Sequence, residues 1–354
     1  MPAVAGFFGG WRGLGRFWGL ILAFAAAIAA TLAVLGPLPL RRPSPSVGAP
    51  SHEAAPQPTI VPQTPAAAAS PRDRPGRDMP GSVNDPDPAL LESGPGVPPE
   101  SLPRIAPDGR KPMQFYAAGF DPTSKRPRVG LLIAGIGLGA ADSKRAIADL
   151  PAQVTFAVSP YTPNPEPILS SARLLGHEYL LSIPMEPQRF PLSDAGPNAL
   201  MTTLSPDRNH PRLLSALSKF KGYVGATAIL GALRGERLAD MPDQIGAVLE
   251  ELDHRGLLYV AAPGHAMPVP HTWSRGIDLV VDEPATAADI DARLLALETI
   301  ARDRGDALGL AVAPRPVTVE RIAAWTIGLA NRGLALAPVS ALVVPPAIEK
   351  ETHK

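Results

Sequence analysis

The chain has no cysteine and no excess of charge of either sign. With 0 cysteines in 354 residues, disulfides and thiolate metal sites are excluded, and the chain has no thiols to protect in an oxidising compartment. Lys and Arg together number 33, as do Asp and Glu, so the formal net charge is +0. No stretch carries the clustered basic side chains that a nucleic-acid backbone requires. We therefore expect no nucleic-acid partner.

The first third of the chain has few side chains that can fill a core. The chain has 44 prolines, and they are densest in this part. Residues 37–127 are rich in Pro, Ala, Ser and Asp, a composition that cannot offset the entropy lost on ordering. We predict a disordered, extended linker over 37–127. Within it, the patch from Pro112 to Phe120 is more apolar, and both docking on the folded domain and disorder remain open for it.

An uncharged apolar run lies close to the N-terminus. It extends from Phe17 to Gly36 (FWGLILAFAAAIAATLAVLG), about 20 residues, which is long enough to cross a bilayer as a helix. We predict a signal anchor at 17–36 with a cytoplasmic tail at 1–16. The chain would then be a single-pass inner-membrane protein with its C-terminal domain in the periplasm. A cleaved signal peptide is the alternative, because the run contains A-x-A patterns.

From Arg128 onward, apolar runs alternate with amphipathic stretches. Strands that are apolar on both faces and alternate with helices indicate a parallel sheet covered by helices. We predict an irregular seven- or eight-stranded (β/α) barrel over 128–343, followed by a tail at 344–354; an open doubly wound sheet is the alternative. In both folds a ligand site lies beyond the C-terminal ends of the strands. The predicted strands are 129–134, 154–158, 179–183, 223–226, 257–261, 277–281, 308–313 and 334–337.

Several segments around these strand ends are similar to those of a known family. They include LLIAGIGLG at the first strand, VTFAVSPYTPNPE at the second, GHEYLLSIPMEP at the third and PVSALV at the end. The order of these motifs from Val129 to Val343 resembles the divergent polysaccharide deacetylases, a bacterial envelope family related to the NodB-type carbohydrate esterase barrel. The resemblance implies a (β/α) barrel that removes acetyl groups from envelope sugars.

The chain departs from the family pattern where the pattern carries the chemistry. The resemblance implies adjacent carboxylates after the first strand, where this chain has Ala134 and Gly135. Metal-assisted deacetylation needs a cation that polarises the carbonyl and a positioned base, and no carboxylate or imidazole remains at these positions. We therefore predict no catalytic residue, no metal ligand and no cofactor. Other family positions for Asp or His are occupied by Ser182, Ile229, Ala261 and Ala313.

Three further features of the sequence are weaker candidates for functional sites. The run from Gly135 to Ala140 fits a dinucleotide-binding glycine pattern, but the acidic residue expected after the second strand is absent, so we interpret it as a tight turn. His265 and His271 lie in one Pro-rich loop, and no third metal ligand is evident nearby. His177 precedes the third strand, where we expect a surface position. No G-x-S-x-G nucleophile motif is present.

Charged side chains that follow the predicted strands are candidate ligand-binding groups. Two functions remain open for them. The first is a non-catalytic envelope protein that binds cell-wall glycan or an envelope protein partner; the second is an active deacetylase of acetylated envelope polysaccharide with a rearranged site. The missing carboxylates and imidazoles favour the first. The candidate residues are Glu186, Arg189, Arg234, Asp282 and Arg315.

Overall fold

The computed structural model describes residues 83–94, 100–264 and 272–346. The predicted cytoplasmic tail and signal anchor lie outside these residues. Within the described ranges, no helix has the length and apolar character needed to cross a membrane.

A curled sheet of parallel strands with helices around it forms the domain. It contains nine strands, of which eight follow the path β8-β7-β6-β5-β4-β3-β10-β9 and the ninth, β11, pairs with β3 off this path. A separate antiparallel pair is formed by β1 and β2. The strands are β1 Leu91–Ser93, β2 Ser101–Pro103, β3 Arg128–Ile136, β4 Thr155–Val158, β5 Tyr179–Ser182, β6 Gly225–Thr227, β7 Leu258–Ala261, β8 Ser274–Gly276, β9 Leu279–Val280, β10 Asp306–Ala311 and β11 Ala335–Leu336.

Four of the eight helices described begin at a proline, which suits the first helical turn because a proline lacks the N–H group that would be unpaired there. The helices follow the strands and cover the sheet, as the alternating sequence pattern predicts. The helices are α1 Pro112–Phe115, α2 Ala140–Asp149, α3 Glu166–Leu174, α4 Pro206–Leu217, α5 Glu236–Ala239, α6 Pro242–His254, α7 Ala287–Arg304 and α8 Pro316–Ile327.

One short segment joins the two edges of the sheet. The edge strands β8 and β9 are separated only by Ile277 and Asp278. The Ile277 N–H donates to the Ala261 carbonyl of β7 at 3.3 Å, and the Asp278 N–H donates to the Leu308 carbonyl of β10 at 2.9 Å. The sheet thus curls round, and the predicted (β/α) barrel is confirmed as the fold class. The sequence predicts one strand at 277–281, whereas the structure has β8 and a two-residue β9 because the segment changes partner.

Alternate residues of each strand face two different layers. Leu132, Leu180 and Leu258 belong to the cluster inside the barrel, whereas Leu131 and Leu181 pack in the layer between sheet and helices. Because successive residues of a strand alternate between these two layers, both faces of the strand are buried.

The predicted disordered linker extends too far along the chain. Residues 83–94 and 100–118, which we call the base plug, close the N-terminal end of the barrel. Leu90, Met113 and Tyr116 are at most 2% exposed and join the interior cluster. The Met113 N–H donates to the carbonyl of Gly256, directly before β7, at 3.1 Å. Of the two alternatives for residues 112–120, docking on the domain is therefore correct.

A buried carboxylate fastens the base plug to the barrel. The two oxygens of Glu178, directly before β5, accept from the backbone N–H groups of Ala118 and Ser340, both at 2.9 Å. The hydroxyls of Ser340 and Thr155 donate to the same carboxylate at 2.5 and 3.0 Å. One side chain thus holds the segment that precedes the barrel and the segment that follows it.

His177 lies in the interior, so its predicted surface position is wrong. Its Nδ1 lies 2.9 Å from the Val154 carbonyl and its Nε2 lies 3.1 Å from the Ile147 carbonyl near the end of α2. Burial lowers the pKa of the imidazole. The ring fastens α2 and the start of β4 to β5.

Candidate functional site

The loops at the C-terminal ends of the strands, which we call the mouth, meet across the barrel. Gly135 follows the core of β3 with a left-handed φ of +74°. A Cβ atom at this position would lie 3.3 Å from the Val312 carbonyl oxygen and 3.7 Å from the Cα atoms of Ala313 and Gly231. Loops from β3, β6 and β10 therefore meet through backbone and small side chains, and none of these four residues offers a carboxylate or imidazole to a metal ion.

The vacated family positions do not all share one environment. Gly135 and Ala313 are neighbours in the mouth. Ala134 and Ile229 are fully buried members of the interior cluster. Ala261 packs instead in the layer between sheet and helices. These residues lie close to or just beyond the C-terminal ends of their strands, but they are divided between the mouth, the interior cluster and the layer between sheet and helices.

Glu186 is buried beneath the mouth rather than presented on it. Its side chain is 1% exposed and forms an ion pair with Arg237 at 2.8 Å. The other carboxylate oxygen accepts from the backbone N–H and the hydroxyl of Thr202 at 2.6 and 2.8 Å. The carboxylate thus fixes the long loop after β5 to α5, the short helix that follows β6. Sequence analysis gave no indication of Thr202 or of Arg237 as its partners, because spacing along the chain does not reveal a contact between loops.

Asp282 has a similar role on the other side of the mouth. It accepts from the backbone N–H of Val312 at 2.8 Å and from Arg315 Nη1 at 2.9 Å. Burial raises the pKa of this carboxyl, while the two donors oppose the effect. Arg315 remains 43% exposed above the buried carboxylate. In this ion pair the guanidinium of Arg315 is therefore the group exposed to solvent, and the carboxylate of Asp282 is not.

The remaining candidate residues are two arginines. Arg234 forms an ion pair with Glu283, which links the loop after β6 to the loop after β9; its Nε is buried without a partner. Arg189 is exposed in the loop after β5. The structure thus brings Arg234 and Glu283 together and leaves Arg189 free to meet a ligand.

The glycine run after β3 forms a turn that packs inward. A side chain at Gly137 would collide with Thr162 of the neighbouring loop, and the Gly137 N–H donates to Ser143 Oγ at 2.9 Å. An amide that is already paired is not available to a phosphate, which favours the tight-turn interpretation.

No set of three or more His, Asp or Glu side chains that could hold a metal ion occurs in the described part of the chain. His265 and His271 lie outside it. The residues of the mouth that the structure describes therefore do not fit a catalytic metal, which needs about three protein ligands.

The comparisons with known proteins agree with this architecture. A family model described as divergent polysaccharide deacetylase matches residues 131–343. The chain belongs to the divergent polysaccharide deacetylase family. Its match to the crystal structure of an uncharacterised protein, ATU2773, from Agrobacterium tumefaciens C58 has 30% identity and a TM-score of 0.63, and covers 69% of this chain and 100% of the other.

A more distant similarity is to the catalytic domain of a peptidoglycan N-acetylglucosamine deacetylase from Eubacterium rectale. It has 12% identity and a TM-score of 0.39, and it covers 63% of this chain and 92% of the other. No curated protein matches the chain significantly. The base plug precedes the matched range, so this member of the family has an ordered segment outside the residues that the family model matches.

Proposed function

We propose that this member of the divergent polysaccharide deacetylase family is a catalytically inactive, membrane-anchored envelope protein whose periplasmic barrel binds cell-wall glycan or an envelope protein partner. The observation that carries the proposal is the contact of Gly135 with Val312 and Gly231 across the mouth. It occupies the place where the family resemblance implies adjacent carboxylates and a metal.

The electrostatics of the mouth support the same proposal. A general base must be able to reach the proton that it removes. The two carboxylates ranked first from the sequence, Glu186 and Asp282, are buried and bound to Arg237 and Arg315. Of the five candidate residues, the two with exposed side chains are Arg189 and Arg315, and a guanidinium stays protonated and so cannot act as a general base.

Metal analysis together with an activity assay tests the proposal. We expect the purified chain to hold no stoichiometric zinc and to release no acetate from acetylated chito-oligosaccharides. EDTA should leave its melting temperature unchanged, because no bound metal contributes to folding. A zinc-dependent deacetylase measured in parallel is the positive control. Stoichiometric zinc together with turnover would contradict the proposal and favour the active deacetylase.

Membrane fractionation tests the anchor separately. Because the run at 17–36 is long enough to span a bilayer, the mature protein should retain residues 1–40 and remain with the membrane after washing with alkaline carbonate. A mature N-terminus beyond Ala30, determined by mass spectrometry, would identify a cleaved signal peptide instead.

A further inference from the structure

A groove lies at the base of the barrel, at the opposite end from the mouth. It has a volume of about 430 Å³ and is lined by residues from the end of α8, from β11 and from the segments before β3 and β4. Ile327 at the end of α8 is 86% exposed, and Leu329, Leu334 and Leu336 continue the apolar lining. We call this feature the base groove. Its volume is in the range of pockets that take small ligands or side chains.

The base groove includes a free strand edge. The N–H groups of Ala335 and Ala337 donate to the carbonyls of Pro127 and Val129, both at 2.9 Å. Because successive peptide groups of a strand point to opposite edges, the N–H and C=O groups of Leu336 point away from β3. Neither group forms a hydrogen bond with the residues that the structure describes. An unpaired edge of this kind is a template for another strand.

The lining of the base groove carries a single charged residue, Arg126. Its guanidinium is exposed and forms no ion pair or hydrogen bond with the described parts of the chain. A carboxylate on a bound molecule would therefore find an uncompensated positive charge at the rim. An acyl chain could fill the apolar surface, but it offers neither a backbone partner for Leu336 nor a carboxylate at the level of the strand.

We propose that the base groove binds an extended segment of a partner protein by strand addition to β11. The segment pairs its backbone with Leu336, places an apolar side chain against Ile327 and Leu329, and sets an acidic side chain opposite Arg126. Strand addition draws affinity from backbone hydrogen bonds and specificity from alternate side chains. This inference is independent of the proposed function, because the base groove and the mouth lie at opposite ends of the barrel.

Binding of blocked hexapeptides to the full chain in detergent tests this proposal. The probes alternate valine and threonine and carry aspartate, glutamine or lysine near one end. We expect the aspartate peptide to bind with a dissociation constant on the order of 0.1 mM, as for a small interface, and the lysine peptide to bind at least tenfold more weakly. Because the chain has 0 cysteines, a fluorophore on a single Ser124→Cys variant reports binding.

Substitutions in the base groove separate the proposed contacts from unspecific binding. Ile327→Asp should weaken binding of the aspartate peptide at least tenfold, and Arg126→Glu should reverse the preference from the aspartate to the lysine peptide. Leu295→Asp is the matched control, since Leu295 is also exposed, at 58%, but lies on α7 outside the groove. Equal binding by all variants, or no binding of any peptide at 5 mM (a concentration about fiftyfold above the expected constant), would overturn the proposal.

One further variant distinguishes the source of the segment. Ile60 and Val61 are the only adjacent β-branched apolar residues between residues 37 and 82. If the aspartate peptide binds the variant in which both residues are replaced by Asp but does not bind the unchanged chain, then this chain's own segment occupies the groove. The assignment to a partner protein is then wrong. Equal binding by the double variant and the unchanged chain supports a partner.

Discussion

A chain that begins at Gly119, without the base plug, is expected to lose cooperative unfolding. The base plug inserts Leu90 and Met113 into the interior cluster and packs Leu102 against the outer layer. Burial of each large apolar side chain stabilises a fold by about 1.5–3 kcal/mol, so these three contribute about 5–9 kcal/mol. The total stability of a domain is only about 5–15 kcal/mol, and the remainder would be too small for a fixed tertiary structure.

Near-ultraviolet circular dichroism and thermal unfolding measure this effect. A chain that begins at Val83 is the matched control and should unfold in one sharp transition. Like the shorter chain, it lacks residues 1–82, but it retains the base plug. If both chains melt at the same temperature, the plug is dispensable and the family limits at 131–343 describe the whole folding unit.

Replacing Glu178 with Gln should destabilise the domain by about 2–4 kcal/mol. Each of the two carboxylate oxygens accepts a backbone N–H, from Ala118 and from Ser340. An amide presents its NH2 group to one of these donors, which leaves a buried N–H unpaired at a cost of about 1–3 kcal/mol, and a neighbouring hydroxyl must turn from donor to acceptor to pair with the amide hydrogens. The melting temperature should fall by at least about 5 °C in a domain of this size.

Ser340→Ala provides the graded comparison. It removes one hydroxyl donor and keeps the backbone N–H, so we expect a loss of about 1 kcal/mol. The pH dependence adds a second readout. Burial raises the pKa of Glu178 above its ordinary 4.5, so the folded protein holds the proton more tightly than the unfolded chain. Stability should therefore fall as pH rises from about 4.5 through the folded-state pKa, and the Gln variant should lack this slope. A smaller loss for Glu178→Gln than for Ser340→Ala would contradict the role of the carboxylate.

The regular part of the fold could be predicted from the sequence because each element carries a local signal. The apolar run at 129–134 is typical of a buried strand, and the proline that begins α4 is typical of a first helical turn. The base plug has no such signal, since Leu90, Leu102 and Met113 stand alone among Pro and polar residues and show no period. Their burial depends on a cavity at the end of the barrel, which exists only once the sheet has curled.

The position of the candidate site could be predicted from the sequence, but the burial and the partners of its charged side chains could not. Asp282 does lie at the C-terminal end of its strand, as the pattern indicates. Its burial follows from hydrogen bonds with Val312 and Arg315, which are about 30 residues further along the chain, and no spacing rule reports contacts of that kind. Glu178 was missed for the same reason, although a glutamate directly before a wholly buried strand is unusual and can serve as a signal in other chains.

The pairing of β3 with β10 also determines when the barrel can form during synthesis. The first strand of the barrel has one neighbour that follows it within about 30 residues and another that is 178 residues away, as the pair Arg128 and Asp306 shows. The segment around Ser340 that closes the base emerges later still. A ribosome must therefore have made nearly the whole chain before the first strand is complete, and contacts at such separation form slowly. Until then the sheet lacks β10 on one side of its first strand, and the nascent chain cannot hold a closed barrel.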